Sequence, residues 1–267
     1  HYITFPLKRK KKLSTYWKIV RELRKENGEL GVIFVNTFIS ALLFRLGNVK
    51  KNIGYNREGR GFLLDFSPEI NYHKHYINRY AFLFNEYIGN KYVYLPELSL
   101  RYTGQKTFQF DNSHKTIALY LGGENKEFRK YPDEYAVQLL RLLNRQGYNL
   151  LLIGDENDNI KHTQYAEEAR IDHLINLTAR TTIEGFINTI ANVDLIITID
   201  SSALHIAAAV KTPFIALMGL STSPTSTILP KVPLGRILKI ENNLIREEDY
   251  IRNITPDLIL KTISELI

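Results

Sequence analysis

Residues 194–210, "DLIITIDSSALHIAAAV", decide the fold. The first part is an apolar, β-branched run with no alternation, which suits a strand buried on both faces of a parallel sheet. Asp200, Ser201 and Ser202 break the run, and an Ala-rich helical pattern carrying His205 follows at once. Strand, polar turn and helix in direct succession make half of a βαβ unit.

The same pattern recurs on both sides of this stretch. Short apolar runs stand at "IALYL" 117–121, "NLLLIG" 149–154, "HLINLT" 173–178, "PFIALMG" 213–219 and "RILKI" 236–240. Between them "PDEYAVQLLRLLNRQG" opens on Pro and acids and closes at Gly147, and "TTIEGFINTIANV" follows a capping Thr, so both read as helices. From about residue 113 the chain therefore reads as one Rossmann-like domain with a doubly wound parallel sheet. The first 110 residues offer a basic amphipathic helix at about 14–26, strands "GVIFVN" and "KNIGY", and a Tyr/Phe-rich helix at about 73–88. Two strands are few for a sheet, so this part is either half of a second α/β domain or a small helical cap. The stretch 91–115 lacks helical period and is expected to be the linker, which divides the chain into 1–112 and 113–267.

Composition narrows the possible partners. The 267 residues carry a formal charge of +7, which favours phosphates, nucleic acid or an anionic membrane face. Much of the excess lies in "KRKKK" at 8–12, next to aromatic residues in "PLKRKKKLSTYWKIVRELRK" 6–25; a solvated basic face and a lipid-surface contact with Trp17 at the interface both fit that run. With no cysteine there can be no disulfide, thiolate metal site or thiol chemistry. The apolar stretch 31–44 is interrupted by Asn36, Thr37 and Ser40 and is too short to cross a bilayer.

Ligands of parallel sheets bind outside the carboxyl ends of the strands, and the residues there are polar or glycine throughout. After Asp200 a helix starts at two hydroxyl residues, and its free N–H groups and positive dipole end suit a phosphate; His205, one turn on, can face the same way. The plainer reading has Ser201 or Ser202 as an N-cap and His205 as a core imidazole. In "LGGENKEFRKYP" 121–132, Gly122 and Gly123 permit close backbone approach and Lys130 can neutralise a diphosphate, whereas the plain alternative is a solvated loop cation. "GDENDN" 154–159 places acids after the second strand, where a carboxylate can accept ribose hydroxyls or cap the next helix. No carboxylate or histidine pair has metal-ligand spacing.

Together these residues resemble glycosyltransferase family 9, the bacterial heptosyltransferases. "DLIITIDSSALHIAAAVKTPFIALMGLSTSPTSTILP" is similar to that family's Asp-Ser/Thr-Gly-x-x-His run, Ala-rich helix, Thr-Pro strand start and Gly-Pro-Thr turn. "VNTFISALLFRLGNVKKNIGYNREGRGFLLD" 35–65 parallels segments of the subgroup that adds the second heptose. The resemblance implies a GT-B fold of two Rossmann-like domains facing a cleft, the N-terminal one incomplete. It also implies inverting, metal-independent transfer from ADP-heptose to the acidic inner core of lipopolysaccharide, at the cytoplasmic face of the inner membrane, with no cofactor. Carried over by position, Lys130 meets the donor diphosphate, Asp158 the ribose and Thr181 the adenine. Asp200, Ser201, Ser202 and His205 hold sugar and phosphate, beside Gly122 and Gly123. Ser202 replaces the family's Gly, and Leu220 its Pro. Family members open with a strand and a Gly-Asp loop bearing the general base, and nothing before "HYITFP" supplies it, so no catalytic residue is named and a base-bearing segment upstream is expected of a full enzyme.

The expected partners are an ADP-sugar and an anionic core oligosaccharide, with a peripheral membrane contact through residues 8–25, no nucleic acid, and a monomeric state. Two other readings stay open: a nucleotide-sugar binding protein without turnover, and a GT-B transferase using another nucleotide sugar.

Overall fold

The computed structural model describes residues 13–94, 97–122, 124–220, 225–240 and 246–267. The chain divides into a first unit, residues 1–96 with 226–228, and a second, residues 97–225 with 229–267. The basic run 8–12, Gly123 and the Ser221–Thr222 pair lie outside the described residues.

In the first unit the helix expected at 14–26 forms as α1 (Leu13–Glu26), with Val20 buried and Trp17 62% exposed. Strand β1 (Leu30–Ile33) pairs in parallel with β2 (Lys51–Gly54), Leu30 opposite Lys51. Between them runs α2 (Phe38–Leu46), which the sequence reading left unassigned because "FISALLFRL" is apolar on nearly every side. Its start is fixed by Thr37, whose hydroxyl accepts the Ser40 N–H at 3.3 Å, and its end by Gly47, where any Cβ would stand 2.6 Å from Leu23 Cβ. Helix α3 (Tyr76–Tyr87) is the expected Tyr/Phe-rich helix. The described sheet here has two strands.

The six strands expected in the second unit all form: β3 (Thr116–Tyr120), β4 (Asn149–Leu152), β5 (Leu174–Asn176), β6 (Leu195–Ile199), β7 (Phe214–Leu217) and β8 (Gly235–Leu238). All pair in parallel in the order β5-β4-β3-β6-β7-β8, the doubly wound order whose direction reverses between β3 and β6. Ile117, Leu119, Leu150, Leu152, Ile197 and Ile215 are each 0% exposed, the burial that an unbroken apolar strand requires. The helices are α4 (Asp133–Arg145), α5 (Asn159–Ala169), α6 (Ile183–Ala191), α7 (Ser202–Val210), the single turn α8 (Thr225–Ile228) and α9 (Pro256–Ile263).

Part of the expected linker is structural. Leu100 N–H donates to Ala209 O at 3.1 Å, and Thr103 and Gly104 N–H both reach Asn188 Oδ1, at 3.1 and 3.2 Å. Asn188 returns a bond to Thr103 Oγ1 at 2.8 Å, and Phe108 and Phe110 pack on the core. Residues 97–112, assigned to the N-terminal part by sequence, thus bind along α6 and α7, and the division falls at 96/97. Periodicity could not show this, because an extended segment that docks through its backbone has none.

Candidate functional site

Where β6 ends, Thr198 and Ser201 hydroxyls meet at 3.0 Å, and Ser201 accepts the Ala203 N–H at 3.2 Å. Of the two candidates Ser201 is the N-cap of α7, in extended backbone, and Ser202 is the exposed first helical residue. Capping and a ligand role are compatible, since the helix start still aims its dipole out of the sheet at the crevice between β3 and β6. Asp200 and His205 are half-buried, the latter in the first turn of α7.

The loop after β3 crosses these strand ends. Gly122 has φ +80°, and a Cβ there would lie 2.6 Å from Ile199 Cδ1, so this turn needs glycine for both torsion and space. Beyond it, residues Glu124–Arg129 form a 3-10 helix. Lys126 Nζ lies 3.4 Å from Asp155 Oδ2 at the end of β4 and 5.6 Å above the Tyr120 ring. Arg129 Nη1 stands 3.5 Å from Asp200 O at the end of β6, the outer limit of a hydrogen bond. Close approach to β7 is set by Gly219, where a Cβ would come within 2.6 Å of Phe128 O.

Lys130 lies elsewhere. Its Nζ is 2.7 Å from Asp133 Oδ1, and it borders a cavity of about 310 Å³ with Arg246 and Arg252. Asp133 also takes Lys161 at 3.1 Å and the Tyr165 hydroxyl. Its partial burial would raise its pKa, but the bonds from Lys130, Tyr165 and Lys161 outweigh that and hold it at about 2. Of two adjacent cations, it is Arg129 that reaches the β6 end.

Asp158, too, is engaged within the protein. Its side chain is 0% exposed, and Oδ2 accepts the Asp155 N–H at 3.0 Å, while the Asp155 side chain accepts the Asn157 N–H at 2.8 Å. The pair forms a capping box on the 3-10 turn Glu156–Asp158, and a Cβ at Gly154 would meet Asp158 Oδ2 at 2.8 Å. The spacing Asp155-x-x-Asp158 was the available signal. Around it lies a buried polar group: Tyr120, whose phenol is pushed far up first by burial and then by Asp158, and His162, 0% exposed, with Nδ1 2.7 Å from Thr178 Oγ1. Burial pushes the His162 pKa down to about 4, against the pull of Asp158 and Asp155. Thr181 is half-buried between β5 and α6, beside Gly185. Among the described residues no three His, Asp or Glu side chains gather so as to hold a metal ion.

In the first unit, Arg60 is fully buried and joins the two segments of its motif. Nε donates to Tyr55 O at 2.9 Å, Nη2 to Asn36 Oδ1 at 2.9 Å, and Nη1 to Thr37 O at 3.3 Å, Ser40 Oγ at 3.1 Å and Val35 O. The loop so held presents Phe34 and Val35, 54% and 61% exposed, at the carboxyl end of β1.

A doubly wound parallel sheet with small, hydroxyl and cationic residues gathered at its switch point defines a Rossmann-like α/β unit, and the solved heptosyltransferases it resembles make the fold one of GT-B type. The chain belongs to glycosyltransferase family 9 (heptosyltransferase), whose sequence profile matches residues 16–248. It is therefore a glycosyltransferase. It is 26% identical to lipooligosaccharide heptosyltransferase 2 of Haemophilus influenzae, over 96% of this chain and 81% of that protein. Among solved structures it is similar to Escherichia coli ADP-heptose LPS heptosyltransferase II, with a TM-score of 0.81 and 21% identity over 95% of this chain and 81% of that one. It is also similar to an E. coli heptosyltransferase with ADP-2-deoxy-2-fluoro heptose, with a TM-score of 0.72 and 17% identity over 94% and 76%. These likenesses concern the fold.

Proposed function

We propose that the chain transfers a heptose from ADP-heptose to the inner core of lipopolysaccharide, with inversion at the anomeric carbon and without a divalent metal. The observation that carries this reading is the convergence of Arg129 on the Asp200–Ser202 turn at the start of α7. A nucleoside diphosphate laid there would put its anionic oxygens against a guanidinium and a helix N-terminus, groups that stabilise charge as the leaving diphosphate departs. Gly122 and Gly123 would let the backbone approach, Ser202 and His205 would hydrogen-bond the sugar or phosphate, and Thr181 would lie toward the adenine. Relatives named for heptose transfer and for ADP-heptose support the choice of donor. In this reading the first unit receives the acceptor, and Arg60 fixes the loop that meets it.

We further propose that the protein works as a monomer at the cytoplasmic face of the inner membrane, which residues 8–25 touch. Exposed Trp17 and the cations of α1 support this, and no helix among the described residues is long and apolar enough to cross a membrane.

Titration calorimetry with ADP tests the site. Arg129→Ala is expected to weaken binding roughly 10- to 100-fold, the range for losing a charge-assisted hydrogen bond, and Lys130→Ala less than threefold. Equal affinity of Arg129→Ala and wild type would remove the proposed diphosphate site. Transfer from ADP-heptose to a core acceptor, unchanged by EDTA, tests the reaction.

A further inference from the structure

We propose that the outer face of α1 seats the headgroup of an anionic phospholipid. The assignment rests on the membrane contact proposed above and names the lipid class and the side chains that meet it. Along α1, Leu13, Trp17, Arg21 and Arg24 follow one another at helical spacing and form a single stripe, with Lys18 beside it. Trp17, Lys18, Val20, Arg21 and Arg24 border a groove of about 310 Å³, and among the described residues no acid lines it.

The inner face of the helix serves the fold. Val20 is buried, Leu23 lies against Gly47, and Arg24 Nε donates to Leu46 O at 3.0 Å, closing the last turn of α2. The outer face keeps its cations open. Lys18 is exposed and has no acidic partner among the described residues. Arg21, its side chain 72% exposed, stands 3.8 Å from Glu22, which Lys25 holds more closely at 2.8 Å. Lys18, Arg21 and the Nη groups of Arg24 therefore retain donors for an anion.

Charge alone would suit any phosphate, and the apolar half of the stripe selects a lipid. Leu13 and Trp17, 78% and 62% exposed, precede Arg21 by two turns and one turn of the same stripe. A bilayer surface is where phosphates stand next to hydrocarbon, so a helix lying in that plane satisfies both halves at once. The indole then sits at headgroup level, and the long stems of Lys18 and Arg21 reach the phosphates. A soluble phosphate or a nucleic acid would meet the cations and leave Leu13 and Trp17 in water.

The test is co-sedimentation of the full chain with vesicles of phosphatidylcholine, alone or with about one-third phosphatidylglycerol. Wild type is expected to prefer the anionic vesicles by roughly tenfold or more at low salt, and to lose most of that preference at high salt. Lys18→Gln combined with Arg21→Gln is expected to weaken binding to the anionic vesicles by roughly 10- to 30-fold. Trp17→Ala is expected to weaken binding to both kinds of vesicle and to keep the preference between them. Arg145→Gln, which removes an exposed cation of the second unit, is expected to bind as wild type does. If the α1 variants bind anionic vesicles as tightly as wild type, the assignment fails while the membrane contact stands. If wild type binds neither vesicle, the membrane reading fails and takes this one with it. Release of the bound chain by millimolar glycerol phosphate or by duplex DNA, with no loss in Trp17→Ala, would make the groove a site for soluble phosphates and overturn the assignment.

Discussion

Replacing Arg60 with methionine is expected to destabilise the first unit by roughly 2 kcal/mol or more, because one buried and four partly buried hydrogen bonds are lost at once. Methionine fills similar space, so the loss is one of hydrogen bonds more than of packing. The acceptors are Val35 O, Thr37 O, Tyr55 O, Asn36 Oδ1 and Ser40 Oγ, all supplied by one guanidinium. Lysine in its place could reach only part of this set, since its charge is a point and not a fork. With two units in one chain, a single unfolding midpoint is a poor readout, and hydrogen exchange resolved by residue is better. Amides of 52–60 are expected to exchange faster in Arg60→Met while those of β3 to β7 do not change. Equal protection throughout in variant and wild type would show that the clamp contributes little.

The second large effect is a loss of stability on mild acidification. His162 is neutral when folded because burial lowers its pKa to about 4, whereas an unfolded histidine titrates near its ordinary value of 6.5. Between those values the unfolded chain binds the extra proton, so stability is full above pH 6.5 and falls as pH drops through 4. Over that span the loss reaches roughly 3 kcal/mol, at about 1.4 kcal/mol per pH unit. Asp133 acts lower: its pKa is depressed to about 2, so its contribution is present above its ordinary 3.8 and is lost only between there and 2. Urea unfolding of the second unit between pH 7 and 4.5 separates the two groups. His162→Asn should flatten the slope in this range, and a slope that persists in the variant would assign it to another group.

How far the sequence could be read depends on the kind of signal each element carries. Strands β3, β4, β6 and β7 were legible because a strand covered on both faces must be apolar without interruption, and the edge strands β5 and β8 from their short apolar runs at the same spacing. Helix α5 was not, since "NIKHTQYAEEA" has a weak apolar stripe, and α9 follows a 3-10 stretch, Glu247–Asn253, that obscures its start. At the site, the helix start after β6 was readable from Asp200, Ser201 and Ser202, but the choice between the two serines depended on backbone torsions. Arg129 and Lys130 are adjacent cations in one loop, and only the path of the 3-10 turn determines which reaches the β6 end. Asp155 and Asp158 differ in the same way: composition makes them equivalent acids, and the capping box buries one and exposes the other.

The docking of residues 97–110 has a practical consequence for where the second unit can be cut. A fragment starting at Ser113 would keep every strand of the six-stranded sheet yet strip Asn188, 3% exposed, of its bonds to Thr103 and Gly104. It would also bare the faces of α6 and α7 that this strap covers. A fragment starting at Glu97 retains them, and is expected to be the more soluble of the two and to melt several degrees higher. Equal melting points would mean that the strap lies on a domain already complete without it.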